Sequence, residues 1–427
     1  MTVSPPVSLE LLPGGASIAE NGQLLLHGFA VSEIAARFGT PVFIYDAEHI
    51  ESQAVSALAA ANWDIAYASK AFLCLELVRI LERLGLFIDV ASGGELHLAL
   101  AGGFDPKRII MHGNNKSDEE LSQAVAAGIG LVVLDSASEI RRLDDIASAK
   151  GVVQPVLVRV TPGVEAHTHE YIMTGQEDSK FGFSVSSGAA KVAISEVIGC
   201  KSLKYRGIHA HIGSQIFLLD SFTKEVEALK SLVDEFRPEV LNLGGGLGVA
   251  YVEGESSPGF DAWAAKLTGA LEKAGVDPSI RIMVEPGRSL VAQAAMTVYR
   301  VGTIKELVGL RTYVSVDGGM SDNPRPVLYG SGYEAFMVSR ADLDREKVVT
   351  IVGKHCESGD VLVRDARLPS VLAEGDLIAT PVTGAYGYSM ASNYNRVPRP
   401  PVVFVDRDGP RLVVRGETLD DLLRLEI

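Results

Sequence analysis

Cysteine is scarce in this chain. There are three, Cys74, Cys200 and Cys356, and none sits in a C-x-x-C pair. That argues against a disulfide framework and against a structural zinc site. Long apolar runs are missing as well: none approaches the roughly 20 residues of a membrane-spanning helix. The opening stretch, MTVSPPVSLELLPGG, has no basic start of the kind that precedes a secretion signal. Cationic residues are outnumbered, 39 Lys and Arg against 54 Asp and Glu, for a net charge of −15. An anionic surface repels phosphate backbones and anionic lipids, so neither nucleic acid nor membrane is an expected partner. No low-complexity segment or linker interrupts the chain. Together these absences predict a cytoplasmic globular protein.

What is present is a long chain with ample core. Its 427 residues are 47% hydrophobic, enough for two or three domains. From about residue 65 short Ile/Val/Leu-rich runs alternate with helical patterns. The runs are IAYAS (65–69), FIDVA (87–91), IIMH (109–112), LVVLD (131–135), PVLVRV (155–160), YRGIHAHI (205–212), VLNLG (240–244) and RIMVEP (281–286). Strand–helix alternation implies parallel pairing, and eight such units fit a closed (β/α)8 TIM-like barrel better than an open sheet. The fifth unit carries an insertion over 161–184. AEHIESQAVSALAAA (47–61) reads as a helix ahead of the first barrel strand. After about residue 295 the pattern changes to strands separated by Gly, Asp and Pro turns, an all-β domain that is sandwich-like or barrel-like. The expected fold class is α/β: a barrel over 46–295, and a separate all-β domain from 1–45 and 296–427.

Active sites of such barrels lie at the C-terminal ends of the strands. Those ends are polar here. They carry Lys70, Asp89, His112, Arg159, His211, the triplet Gly244–Gly246, and Glu285-Pro286-Gly287-Arg288. Glycines after strand 7 and EPGR after strand 8 suit an anion held by backbone N–H groups, although glycine also makes ordinary tight turns. Lys70 stands alone at the end of an apolar strand. It is either a snorkelling surface lysine or an amine used for Schiff-base chemistry. A phosphate site beside a lysine suggests pyridoxal phosphate, with Glu285 near the ring nitrogen and His211 stacked on the ring. The alternative for His209 and His211 is a metal pair on alternate strand residues, but no carboxylate cluster accompanies them, and no metal is expected. Asp89 either hydrogen-bonds near the cofactor or holds its own strand. Arg159 reads as a bridge between strands. The insertion, with its glycines and polar residues, reads as a lid.

KHCESGD (354–360) poses a separate question. Cys356 next to Glu357 is a buried apolar thiol, a metal ligand, half of a disulfide, or an acid; the shortage of cysteine partners weakens the second and third.

With these residues in view, the chain resembles the diaminopimelate decarboxylases, within the fold-type III pyridoxal-phosphate decarboxylases. The resemblance runs over YASKA (67–71), DVASGGEL (89–96), HTHEYIMTGQEDSKFGF (167–183), HAHIGSQ (209–215), LNLGGGLG (241–248), EPGRSLV (285–291), VDGGMSDNPRPVLYG (316–330), CESGD (356–360) and GAYGYSMASNYNRVPRP (384–400). TPGVEAH and MSDNPRP depart from the family's commonest forms at positions away from the chemistry. The resemblance implies that Lys70 holds pyridoxal 5'-phosphate, that His211 stacks on it and that Glu285 meets its ring nitrogen, with Asp89 nearby. It implies a phosphate cradle of Ser214, Gly245, Gly246, Gly287 and Arg288. It assigns Arg288, Arg325, Tyr329, Glu357 and Tyr386 to substrate, Tyr386 also to cofactor, and Cys356 to catalysis as a proton donor. A thiol with an ordinary pKa near 8.5 is protonated at neutral pH and suits that role. The implied assembly is a homodimer with Cys356 and Glu357 serving the partner's site. The implied reaction is decarboxylation of meso-2,6-diaminopimelate to L-lysine; a related decarboxylase of another basic amino acid or of carboxynorspermidine is the alternative.

Overall fold

The computed structural model describes residues 6–164 and 178–427. The notional lid and the landmark 167–183 lie largely outside them. The chain divides into two compact units, one of residues 54–248 and 257–289, the other of residues 1–53, 249–256 and 290–427.

The first unit is the barrel. Its strands are β1 (Asp64–Ala68), β2 (Phe87–Val90), β3 (Ile109–Met111), β4 (Leu131–Leu134), β5 (Gln154–Thr161), β6 (Leu203–His209), β7 (Val240–Asn242) and β8 (Arg281–Val284). Every neighbouring pair is parallel, and β8 returns to β1 through Met283↔Asp64 and Val284↔Ile65, closing the ring. All eight runs expected from the sequence are strands. They are mostly buried because both faces of a parallel sheet are covered, the main exceptions being the starts of β6 (204–206) and β8 (281–282), and Ala66, Ile110, Leu131, Val133, Leu157, Val240 and Met283 form one apolar cluster across them.

Three of the βα loops start their helices with serine. Ser92, Ser117 and Ser136 each accept the backbone N–H three residues on, and Ser117 completes a capping box with Glu120. Such caps satisfy donors the helix cannot pair internally. They also fix where each strand stops, hence where its last side chain points.

The second unit is built on one 13-residue strand, Ala295–Leu307. Its first half lies between Val42–Asp46 and Leu377–Pro381; its second half pairs with Arg311–Val316 after a register shift between Val301 and Ile304. Val402–Asp406 adds parallel to Val42–Asp46, and Lys347–Val352 adds parallel to Arg311–Val316. The sheet is therefore mixed. The early pieces Ala16–Ile18, Leu24–Leu26 and Phe29–Ala30 form a small sheet of their own, tied on by Leu24 N–H to the Val338 carbonyl at 2.9 Å. Among the described residues no helix is long and apolar enough to cross a membrane.

Candidate active site

Three loops converge at the C-terminal end of the barrel. The loop after β7 lies flush against the end of β8. A Cβ at Gly245 would come within 2.1 Å of the Glu285 carbonyl oxygen, and one at Gly246 within 2.4 Å of the Gly213 oxygen. Only glycine permits that approach. Gly287 is equally confined, 2.8 Å from the Ala68 Cβ at the end of β1. Arg288, itself buried, donates from Nη2 to the Ser214 hydroxyl at 2.9 Å. Ser214, the glycines and Arg288 are thus gathered in one place, a donor-rich set that fits a phosphate.

Beside this cradle sits an acid. Glu285 is buried, and its two oxygens are held from three strands. His112 Nε2 lies 2.9 Å from Oε1, Asn242 Nδ2 donates to Oε1 at 2.7 Å, and His209 Nε2 lies 3.0 Å from Oε2. Burial pushes the carboxyl up, but the two histidines outweigh it and hold Glu285 well below the usual carboxylate range. Burial pushes His209 down to about 4, so its imidazole is neutral. His211 is also held well below its ordinary value, by burial and then by the Lys70 charge. Its Nδ1 accepts the Gly245 N–H at 3.2 Å, leaving a neutral ring fixed over the glycine loop.

Lys70 follows β1 in a single 3-10 turn, Ser69–Ala71, and its side chain is exposed. Asp89 on β2 is buried, and burial raises it to about 7, opposed by the nearby charges of His112 and Lys70. Lys70, Asp89, His211, Ser214, Gly245, Gly246, Glu285, Gly287 and Arg288 therefore share one mouth of one barrel. Arg159 bridges strands, reaching Asp135 at 3.7 Å with its guanidinium 4.3 Å from the Phe181 ring centroid.

The remaining candidates lie in the second unit. Arg325 opens the short helix Arg325–Tyr329, is buried, donates to the Tyr333 hydroxyl at 2.6 Å, and lies 4.2 Å from the Tyr251 ring centroid. Tyr329 ends that helix half-buried. Tyr386 has φ 59°, a costly conformation for a non-glycine residue and one that concentrates at functional sites. Cys356 is a free thiol, exposed on the single chain. Its loop is nevertheless firmly built. Asp360 accepts the N–H groups of Met320 and His355 at 2.6 and 2.9 Å, and Asn395 Oδ1 accepts the Cys356 N–H at 3.2 Å. Cys356 and Glu357 are thus displayed outward from a rigid turn.

The sequence marked His112 only as a strand end; Asn242 and the buried pair Lys116–Glu139 (2.6 Å), which anchors the turn after His112, were missed. The signal for Asn242 was a polar residue inside the apolar run VLNLG.

A closed barrel with a lone lysine, a glycine–arginine anion cradle and a buried anionic glutamate defines the class of pyridoxal-phosphate-dependent decarboxylases. Residues 47–292 match the pyridoxal-binding domain of pyridoxal-dependent decarboxylases. Over 97% of both chains the protein is 46% identical to diaminopimelate decarboxylase of Mycobacterium tuberculosis. It is 45% identical to that of Bacillus subtilis, over 97% of this chain and 98% of the other. The crystal structure of the M. jannaschii diaminopimelate decarboxylase in complex with L-lysine superposes with a TM-score of 0.90 at 33% identity, covering 97% of this chain and 98% of that one. The chain belongs to the diaminopimelate decarboxylase family.

Proposed function

We propose that the protein is a cytoplasmic homodimer that removes carbon dioxide from meso-2,6-diaminopimelate and releases L-lysine, the last step of lysine biosynthesis. The observation that carries this reading is identity of 43–46% over nearly the full chain to diaminopimelate decarboxylases. Nothing favours the decarboxylases of other basic amino acids or of carboxynorspermidine. The barrel domain binds pyridoxal phosphate, and the β domain contributes substrate and dimer-interface residues.

Bound pyridoxal phosphate supplies an electron sink for the pair left when carbon dioxide departs. The residues divide the remaining work. Lys70 would hold the cofactor through its amine. Ser214, Gly245, Gly246, Gly287 and Arg288 hold the phosphate. His211, neutral and fixed by Gly245, covers one face of the ring, and Asp89 and Tyr386 complete the cofactor's surroundings. Glu285 would accept a hydrogen bond from the ring N–H and so favour the protonated, electron-withdrawing ring. Arg325 presents a rigid guanidinium, backed by Tyr251 and Tyr333, to the substrate's distal carboxylate. Arg288 and Tyr329 add contacts to the substrate, and Glu357 pairs with its distal ammonium. Cys356 delivers a proton to the carbon that has lost its carboxyl group. Its outward display beside Glu357 suits service to the partner's site.

The substrate reading is tested by comparing kcat/KM for meso-diaminopimelate, L-ornithine, L-arginine and carboxynorspermidine. Preference for the first is expected. Arg325→Met should then cost roughly 10²–10³-fold, as loss of a bidentate charged contact does. A preference for ornithine would overturn the assignment of Arg325.

A further inference from the structure

The way Glu285 is held says more than that it is ionised. Asn242 has no freedom to flip, because its Oδ1 accepts the Gly244 N–H at 2.9 Å, so its Nδ2 must face Glu285 Oε1. Oε1 meets His112 Nε2 as well. A proton on Oε1 would compete with the Asn242 N–H, whichever tautomer His112 takes. A proton on Oε2 would require His209 to accept at Nε2 and therefore to carry its own proton on Nδ1. That nitrogen is buried with no hydrogen-bond partner among the described residues, and a buried N–H without an acceptor is costly. Both protonated forms are thus opposed by geometry.

The two oxygens also differ. Among the described residues Oε1 has two partners, Asn242 and His112, whereas Oε2 has only His209 at 3.0 Å. Oε2 retains a lone pair for one more donor. The nitrogen and oxygen atoms of His112, His209 and Glu285 lie within 4.8 Å of one another, a spacing a cation also tolerates. The Asn242 N–H aimed at Oε1 instead marks a hydrogen-bonded hub.

Resting on the reading of Glu285 as the ring-nitrogen partner, we propose that His112, His209 and Asn242 are positioning residues that lock Glu285 as a carboxylate and leave Oε2 to accept the cofactor's ring N–H. The hub ties the phosphate cradle to the acid, since Asn242 grips Gly244 and Glu285 together. Histidine at 112 and 209 serves here to hold Glu285 in place, not as an acid or base toward the substrate.

The test compares the affinity of the apoprotein for pyridoxal phosphate with that for its 1-deaza analogue, in which C–H replaces the ring nitrogen. Both form the same bond with Lys70, so their ratio reports the ring nitrogen alone. The wild-type protein should favour the natural cofactor by at least about tenfold, the scale of a charge-assisted hydrogen bond. In His112→Phe and His209→Phe the ratio should fall toward one. His209→Gln and His112→Gln, which keep an N–H donor of similar reach, should restore part of it and guard against variants that fail to fold. Asn242→Ala should also lower the ratio. An undiminished ratio in the Phe variants, with the ratio lost in Glu285→Gln, would overturn the proposal while sparing the role of Glu285. An undiminished ratio in Glu285→Gln would overturn both.

Discussion

At the scale of single residues, chemistry and stability separate. Lys70→Ala should abolish the absorbance of the cofactor–lysine Schiff base and turnover together, because no second exposed amine stands at the end of β1. Cys356→Ala should behave differently: its loop is held by Asp360 and Asn395, not by the thiol. Cofactor absorbance should survive while kcat falls roughly 10²–10⁴-fold, the usual yield of a positioned acid. Stopped-flow absorbance beside steady-state kinetics would show both, and unaltered kcat would remove Cys356 from catalysis.

Glu225 is a residue outside the site with a clear expectation. It is fully buried on the helix Asp220–Phe236, neither oxygen has a partner among the described residues, and burial raises its carboxyl well above the ordinary value. A folded pKa above the unfolded one means that the unfolded chain releases the proton first. Stability is therefore lost as pH rises above the unfolded value of about 4.3, up to the folded pKa. Glu225→Leu should remove that slope and stabilise the protein near neutral pH by about 1–3 kcal/mol. Melting temperature measured from pH 4 to 8 checks it; a slope unchanged in the variant would contradict it.

At the scale of elements, the barrel strands were legible because parallel strands buried on both faces must be continuous apolar runs, and each was followed by a helical pattern. Val42–Asp46 was harder to see. It is five buried residues running directly into a helix, and periodicity cannot name partners that lie some 250 and 360 residues away, at Ala295–Leu307 and Val402–Asp406. The site divides in the same way. Lys70, the glycine loop and Glu285 announced themselves as polar residues ending apolar strands. The roles of His112 and His209 depended on contacts spanning 173 and 76 residues, which only closure of the ring creates. Closure also makes the loop packing unforgiving. Gly245→Ala places a methyl against the Glu285 carbonyl, 2.1 Å away, and must shift either the cradle or the acid. Affinity for pyridoxal phosphate should fall at least tenfold, with a stability loss of about 1–3 kcal/mol from overpacking. Equilibrium dialysis and thermal melts read the two effects separately.

At the scale of the whole molecule, the proposed dimer makes a prediction that a monomeric site would not. Lys70→Ala and Cys356→Ala damage different members of one shared site if Cys356 acts in the partner. Mixed and re-equilibrated, the two inactive variants should recover about a quarter of wild-type activity: half the dimers are hybrids, and each hybrid has one intact site of two. Each variant alone should stay inactive. No recovery under conditions where subunits exchange would place Cys356 in the same chain's site or outside any site.

The claim beneath all of these is that a lysine-dependent cofactor and a diaminopimelate-specific pocket act together in this chain. It is tested most directly by supplying purified protein and pyridoxal phosphate with carboxyl-labelled meso-diaminopimelate, and measuring released carbon dioxide and L-lysine side by side. The two should appear in equal amounts in wild type, and neither in Lys70→Ala. Carbon dioxide without lysine, or release that persists in Lys70→Ala, would contradict it.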